Sequence, residues 1–279
     1  MIHGRIAATQ GAAALGGAMG AIAALLEQRT GQQIGSSRLW RLEAALKPML
    51  RGKGMASVDD LVRQLVMARD GALSDEVVDA LLNQETSFFR DAAMFDQLGE
   101  GLAALAAERS GRRLRLWSAG CSTGQEPLSL AMLLSERRIG EGLNEIVATD
   151  VSAGAIARAR AGRYSQFEVQ RGLSIHRMIR WFDGEGAEWT AKRELVERIM
   201  FRQHNLVSDP PPAGGFDLIL CRNILLYLSP ELRTTVFDAL ARAMRPGGLL
   251  VLGASETVIG QTEKFVPSER WRGFYRTAA

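Results

Sequence analysis

Two rhythms of apolar and polar positions divide the chain. Between residues 21 and 110 apolar side chains recur three and four apart, the spacing of one helix face. In "SSRLWRLEAALKPML" that face is Leu39, Leu42, Leu46, Met49 and Leu50, with Ser36 or Ser37 as the cap. Pro48 predicts a kink or an end close by, because proline removes a backbone donor and crowds the preceding turn. "SVDDLVRQLVMAR" starts with Ser57 and puts Asp59 and Asp60 in a first turn, and "SDEVVDALLNQETSFFRD" predicts another helix from Ser74. From residue 114 the pattern changes to short apolar runs between helical stretches. "EIVATD" (145–150), "ERIMFRQHNL" (197–206), "FDLILCRN" (216–223) and "LLVLGAS" (249–255) predict strands. "SAGAIARARAG" (152–162) and "SPELRTTVFDALARAM" (229–244) predict helices, and "KFVPSERWRGFYRT" a closing hairpin. Strands alternating with helices imply a mostly parallel sheet with ligand chemistry at the strands' C-terminal ends. Residues 163–195 fit no strand–helix unit and predict an inserted subdomain.

Composition narrows the class. At 279 residues and 47% hydrophobic, the chain can bury one large core and a smaller one. A net charge of +3 with 6% aromatics argues against a dedicated nucleic-acid binder. Cys121 and Cys221 are the only cysteines, which excludes a disulfide framework and fits a reducing cytoplasm. Neither cysteine has metal-ligand spacing with His3, His176 or His204, so no metal is expected. Ile6 to Leu26 carries no charge, but its Ala and Gly content makes membrane insertion marginal. Residues 1–20 are expected to be a disordered extension, with Met19 an alternative start.

The stretch "LRLWSAGCSTGQEP" (114–127) reads as strand, glycine turn and helix, with Pro127 at the helix's first position. Such a turn aims backbone N–H groups and a positive dipole at a phosphate. Yet Glu126 stands at its mouth, and Gly120 and Gly124 do not make the three-glycine turn a dinucleotide needs. A carboxylate repels pyrophosphate and attracts a cationic amine or sulfonium. S-adenosylmethionine carries both, together with a ribose whose hydroxyls Asp150, ending the next strand, is placed to accept. Other readings stay open: Glu126 as a first-turn acid, Asp150 as a cap for the helix near Ser152, Phe88 and Phe89 as core, Arg90 as a surface arginine.

Six stretches together resemble the chemotaxis receptor glutamate O-methyltransferase family, CheR. They are "NQETSFFRD" (83–91), "LWSAGCSTGQEPLSLA" (116–131), "ATD" (148–150), "HNL" (204–206), "FDLILCRNILLYL" (216–228) and "RPGGLLVLGASET" (245–257), in family order. The resemblance implies an α/β fold: a Rossmann-like class I methyltransferase sheet, a small all-α N-terminal domain and an inserted β-subdomain. The expected divisions are 21–84 all-α, 85–110 linker and helix, and 111–279 methyltransferase, with 163–196 as the insert.

Carried over by position, the resemblance implies S-adenosylmethionine as cofactor and S-adenosylhomocysteine as product. Gln84 (where many relatives have Asn), Thr86 and Arg90 are expected to close over the cofactor. Glu126 and Asp150 match the family's cofactor-binding acids, Asn205 and Leu206 the adenine side, and Arg222 and Asn223 the strand end beside the methyl donor. Arg90 and Tyr227 are the catalytic candidates, Arg90 by pairing with a carboxylate. The implied partner is a chemotaxis receptor's cytoplasmic domain, with no nucleic acid and no membrane insertion, and a monomer suffices. Arg38 and Arg41 on one side of the 37–50 stripe, and Lys47 and Arg51 on the other, suit an acidic receptor bundle or are a solvated face. The compact "DGEGAEWTAK" favours a member that needs no receptor tethering peptide. The rivals are a regulatory module that binds S-adenosylmethionine and a methyltransferase of another substrate. A redox pair of Cys121 and Cys221 ranks below two buried thiols.

Overall fold

The computed structural model describes residues 17–35, 39–67, 71–108, 113–142 and 144–278. The possible caps Ser36 and Ser37, Arg38, and most of the expected N-terminal extension lie outside them. The chain divides into two compact units, Met1–Asn83 with Tyr227–Ser229, and Gln84–Leu226 with Pro230–Ala279.

The first unit is helical. It contains α1 (Gly17–Thr30), α2 (Leu39–Gly52), α3 (Val58–Met67) and α4 (Gly71–Leu81). α1 takes in residues 17–20, which the sequence reading assigned to the extension. Burial of Gly20, Ile22, Ala23 and Leu26 on its inner face orders that apolar stretch. α2 runs through Pro48 to Gly52, since Leu42, Leu46 and Leu50 remain on one buried face on either side of the proline. In α3 the Ser57 hydroxyl caps the Asp60 N–H at 3.2 Å, as the acidic first turn predicts. α4 begins at Gly71, three residues before the Ser74 expected to start it.

The second unit is a seven-stranded sheet flanked by helices. Its strands are β1 (Arg115–Ala119), β2 (Glu145–Asp150), β6 (Ile199–Gln203), β7 (Phe216–Cys221), β8 (Met244–Leu252), β9 (Phe265–Pro267) and β10 (Phe274–Thr277). They are ordered β6-β2-β1-β7-β8-β10-β9. The pairings among β6, β2, β1, β7 and β8 are parallel, and β10 runs antiparallel to β8 and β9, which makes the expected closing hairpin. The helices are α5 (Ala92–Glu108), α6 (Gln125–Glu136), α7 (Ala153–Ala161) and α11 (Pro230–Ala243). Every residue of β7 is buried, as a parallel strand covered on both faces requires.

Between α7 and β6 lies the insert. β3 (Arg163–Ser165), β5 (Glu188–Ala191) and β4 (Phe182–Glu185) form a separate antiparallel sheet, with α8 (Gln166–Gln170) and α9 (Ile175–Trp181) between β3 and β4 and α10 (Arg193–Val196) after β5. Chain order leaves β1 and sends β2 and β6 to one side, then β7 and β8 to the other. The crevice beyond the carboxyl end of β1 is therefore the switch point of the sheet, where such folds bind ligands.

Candidate functional site

The turn after β1 is built by its backbone. The N–H groups of Gly120 and Cys121 both donate to the Thr149 carbonyl, at 2.7 and 2.8 Å, so the turn is fastened to the end of β2. Gly120 and Gly124 have φ of 75° and 96°, left-handed values that glycine adopts without a Cβ penalty. At Gly124 a Cβ would also stand 2.9 Å from Ala159 Cβ and 3.0 Å from the Tyr164 hydroxyl. Packing against the protein, rather than room for a phosphate, thus fixes this glycine. Tyr164, in β3 of the insert, donates its hydroxyl to the Thr123 carbonyl at 2.8 Å. Burial pushes that phenol well above its ordinary pKa, so it stays a donor. α6 then starts at Gln125, and Pro127 is its third residue instead of its first, still within the turn whose N–H groups lack helical acceptors.

Two acids flank the crevice, Asp150 at the end of β2 and Glu126 in the first turn of α6. Asp150 accepts from the backbone N–H of Ser122 at 2.8 Å and of Ser152 at 2.9 Å. The cap on α7 is Ser152 itself, whose hydroxyl accepts from the Ala155 N–H, so Asp150 steadies that cap without being it. Glu126 accepts from the Ser118 hydroxyl at 2.8 Å and from Arg222 Nη1 at 3.0 Å. Its charge is therefore matched inside the protein, which the spacing of the sequence did not reveal. Arg222 is buried and also donates to the Arg90 carbonyl at 3.0 Å and to the Asp91 carboxylate. Arg222 Nε is buried and donates to no described group.

The segment before α5 lies along this crevice. Gln84 Nε2 donates to Ser152 Oγ at 3.4 Å, and its carbonyl accepts from Ser122 Oγ at 3.1 Å. The Phe89 N–H donates to Ser129 Oγ of α6 at 2.9 Å, and Arg177 of α9 sits 3.7 Å from the Phe89 ring centre. Phe88 and Phe89 are core, the reading left open for them. Arg90 and Thr86 are half-buried, and Arg90 Nη1 donates to the Glu85 carbonyl at 3.3 Å. After β6, the His204 N–H donates to the Asp150 carbonyl at 2.9 Å, bringing Asn205 and the half-buried Leu206 to the same end of the sheet. Asn205 Oδ1 closes its own turn by accepting from the Val207 N–H at 3.0 Å. Gln84, Thr86, Arg90, Glu126, Asp150, Asn205, Leu206, Arg222 and Asn223 all belong to the second unit. Tyr227 groups with the helical unit, where its hydroxyl accepts from Asn83 Nδ2 at 2.6 Å.

Unusual backbone and three unassigned side chains complete the site. Phe89, Asp91, Ser122 and Asn223 have φ of 46°, 63°, 49° and 61°, uncommon for residues with side chains. All four flank the crevice, where such backbone tends to gather. Asp91 binds Arg222, Ser118 binds Glu126, and Glu256 binds the loop after β7. The one available signal was their place within or beside the quoted motifs.

Both cysteines are buried. Burial, with Asp150 and Glu126 nearby, pushes the Cys121 thiol well up, and burial with Glu256 and Glu126 does the same to Cys221. Among the described residues no group of three or more His, Cys, Asp or Glu side chains is arranged to hold a metal. None of the described helices is long and apolar enough to cross a membrane.

Residues 84–273 match the family model for the CheR methyltransferase SAM-binding domain. The chain belongs to the CheR methyltransferase family. Chemotaxis protein methyltransferase 1 of Pseudomonas aeruginosa is 37% identical over 241 residues, covering 84% of this chain and 87% of that one. Chemotaxis protein methyltransferase of Vibrio parahaemolyticus is 38% identical over 245 residues, 86% of this chain and 89% of its own. Chemotaxis protein methyltransferase Cher2 of Pseudomonas putida is 34% identical over 247 residues, 86% and 90%. The chain is accordingly an S-adenosylmethionine-dependent methyltransferase with a Rossmann-like sheet. The residues present fit that cofactor. The Asp150 carboxylate at the end of β2 suits a ribose diol, and the buried Arg222, paired with Glu126, holds one N–H in reserve.

Proposed function

We propose that the chain is a protein-glutamate O-methyltransferase that forms γ-carboxyl methyl esters on the cytoplasmic domain of chemotaxis receptors. It acts in the cytoplasm as a monomer, and the methyl esters set sensory adaptation. One observation supports the reaction class: the Glu126 and Asp150 carboxylates are already taken up by Ser118, Arg222 and the backbone N–H groups of Ser122 and Ser152. Both thiols there are buried with raised pKa, and His204 Nε2 lies 3.0 Å from the Pro210 carbonyl oxygen. A nucleophile that arrives already ionised, as a glutamate carboxylate does at pH 7, needs none of these groups as a base.

S-adenosylmethionine supplies a methyl group on a positively charged sulfur, open to in-line displacement. The protein's part is to hold the receptor carboxylate on that line and strip its water, and orientation alone can remove about 7–11 kcal/mol from the barrier. Arg90 pairs with the incoming carboxylate or with the cofactor's own. Gln84, Thr86, Glu126, Asp150, Asn205, Leu206, Arg222 and Asn223 hold the cofactor, and Tyr227 is the second catalytic candidate by its match to the family motif. The exposed Arg41, Lys47 and Arg51 of α2 suit an acidic receptor helix. β4 and β5 are joined by Gly186 and Ala187 alone, which supports a member that needs no tethering peptide.

The test is methyl transfer from labelled S-adenosylmethionine to a receptor cytoplasmic fragment, scored as methanol released by alkali. Volatile label is expected. Label that survives alkali would refute ester formation, and cofactor binding without any transfer would favour a regulatory module.

A further inference from the structure

The loop after β7 is closed by a side chain from the next strand's end. Glu256 Oε2 accepts from the backbone N–H of Asn223 at 2.7 Å and of Gly253 at 2.8 Å. Its Oε1 accepts from Ile224 and Leu225, both at 2.8 Å. A carboxylate has about four acceptor directions, and here four backbone donors use them. Three of the donors are consecutive, and Asn223 has a left-handed φ of 61°, so the N–H groups of 223–225 converge as an anion nest. Nests of this kind bind external anions in other settings. In this loop the protein fills its own nest.

What the nest holds is the part of the loop that faces the crevice. Arg222 lies immediately before it and reaches Glu126, and Asn223 is its first donor. Ile224 is its second, and Ile224 Cδ1 occupies the space a Cβ on Gly120 would need. One carboxylate therefore fixes the end of β7 and, through Ile224, the opening of the glycine turn after β1. Gly253 is constrained from the other side: a Cβ there would lie 2.7 Å from Glu256 Oε2 and 2.9 Å from Asn223 Nδ2.

We infer that Glu256 is a positioning residue for methyl transfer, filling the 223–225 nest so that Arg222, Asn223 and the Gly120 turn keep the geometry that receives the cofactor. This rests on the reading that Arg222 and Asn223 face the methyl donor. Substrate contact is not part of the role.

Glu256→Gln keeps size but puts an NH2 donor against two N–H donors. In the protein without cofactor, the amides of 223–225 are expected to lose hydrogen-exchange protection while the melting temperature stays within about 5 °C. S-adenosylhomocysteine binding, measured by calorimetry, should weaken about tenfold or more. kcat at saturating cofactor should fall by about tenfold or more, with KM for the receptor fragment unchanged. Gly253→Ala, which crowds the same carboxylate, carries the same expectations should Glu256→Gln not fold. Amides that stay protected would overturn the inference, as would a released loop that leaves binding and turnover at wild-type values. The calorimetric readout needs no receptor, so a wrong choice of methyl acceptor would fail the transfer assay and leave this result intact.

Discussion

Arg222 Nη1 lies 3.0 Å from Glu126 Oε2, with the arginine side chain 2% exposed and the glutamate 12%. A buried pair of this kind adds little over an apolar pair of the same shape, but breaking it leaves one charge without a partner. Arg222→Ala is expected to cost about 3–5 kcal/mol, read from urea unfolding of the whole chain. The double substitution Glu126→Gln with Arg222→Met should regain much of that stability while methyl transfer stays lost. Restored activity in the double variant would show that the pair is structural only.

Arg90 differs from Arg222 in being half-buried, with its side chain bonded to the Glu85 carbonyl. Arg90→Ala should leave the unfolding midpoint within about 0.5 kcal/mol of wild type, as surface changes do. Methanol release from the receptor fragment should drop strongly. Undiminished methylation would remove Arg90 from the site.

Asp150 holds the Ser122 and Ser152 N–H groups with separate oxygens. Asp150→Asn keeps one acceptor and turns the other into a donor. Hydrogen bonds to a charged group are worth about 1.5–3 kcal/mol, so cofactor affinity is expected to fall about tenfold to a hundredfold. Calorimetric titration with S-adenosylhomocysteine checks this, and wild-type affinity would count against a ribose contact.

The acid limit of stability has a local contributor in the insert. Burial tends to raise the Glu168 pKa, but its bonds to the Ser165 N–H and hydroxyl and its pairing with Arg158 outweigh that, and the folded value is lowered. A lowered folded pKa gives stability that is full above the ordinary value of 4.5 and disappears as pH falls through the folded value. Glu168→Gln should therefore cost most near neutral pH and little under strong acid. Melting temperature followed from pH 7 downward should show the two proteins converging.

Cys121 and Cys221 should be silent to a thiol reagent in the folded protein. Both are buried and have raised pKa, so little thiolate is present at pH 8. Ellman's reagent is expected to titrate both only after unfolding in guanidinium chloride. Rapid reaction of either thiol in the native protein would reopen the redox reading.

Much of the architecture was legible because it rests on local rules. The period of apolar positions separated the helical part from the strand–helix part. Ser152 and Gly162 mark the two ends of α7, where the hydroxyl caps and the left-handed glycine terminates. Boundaries moved where packing outweighed local preference. α2 continues through Pro48, and α1 takes up Gly17 to Gly20 because an apolar face next to a core orders Ala- and Gly-rich chain.

The candidate site was legible as a set of residues and not as a set of contacts. Sequence by itself determined that glycines, two acids and the Arg222–Asn223 pair stand at strand ends or in the turn and helix start just after them, since strand–turn–helix order fixes which residues fall there. Tertiary structure alone decided that Glu126 is matched by Arg222, that Asp91 joins them, and that Glu256 fills the loop after β7. Those partners lie far apart along the chain, and Glu256 binds backbone N–H groups, which every residue but proline carries and no side-chain pattern records.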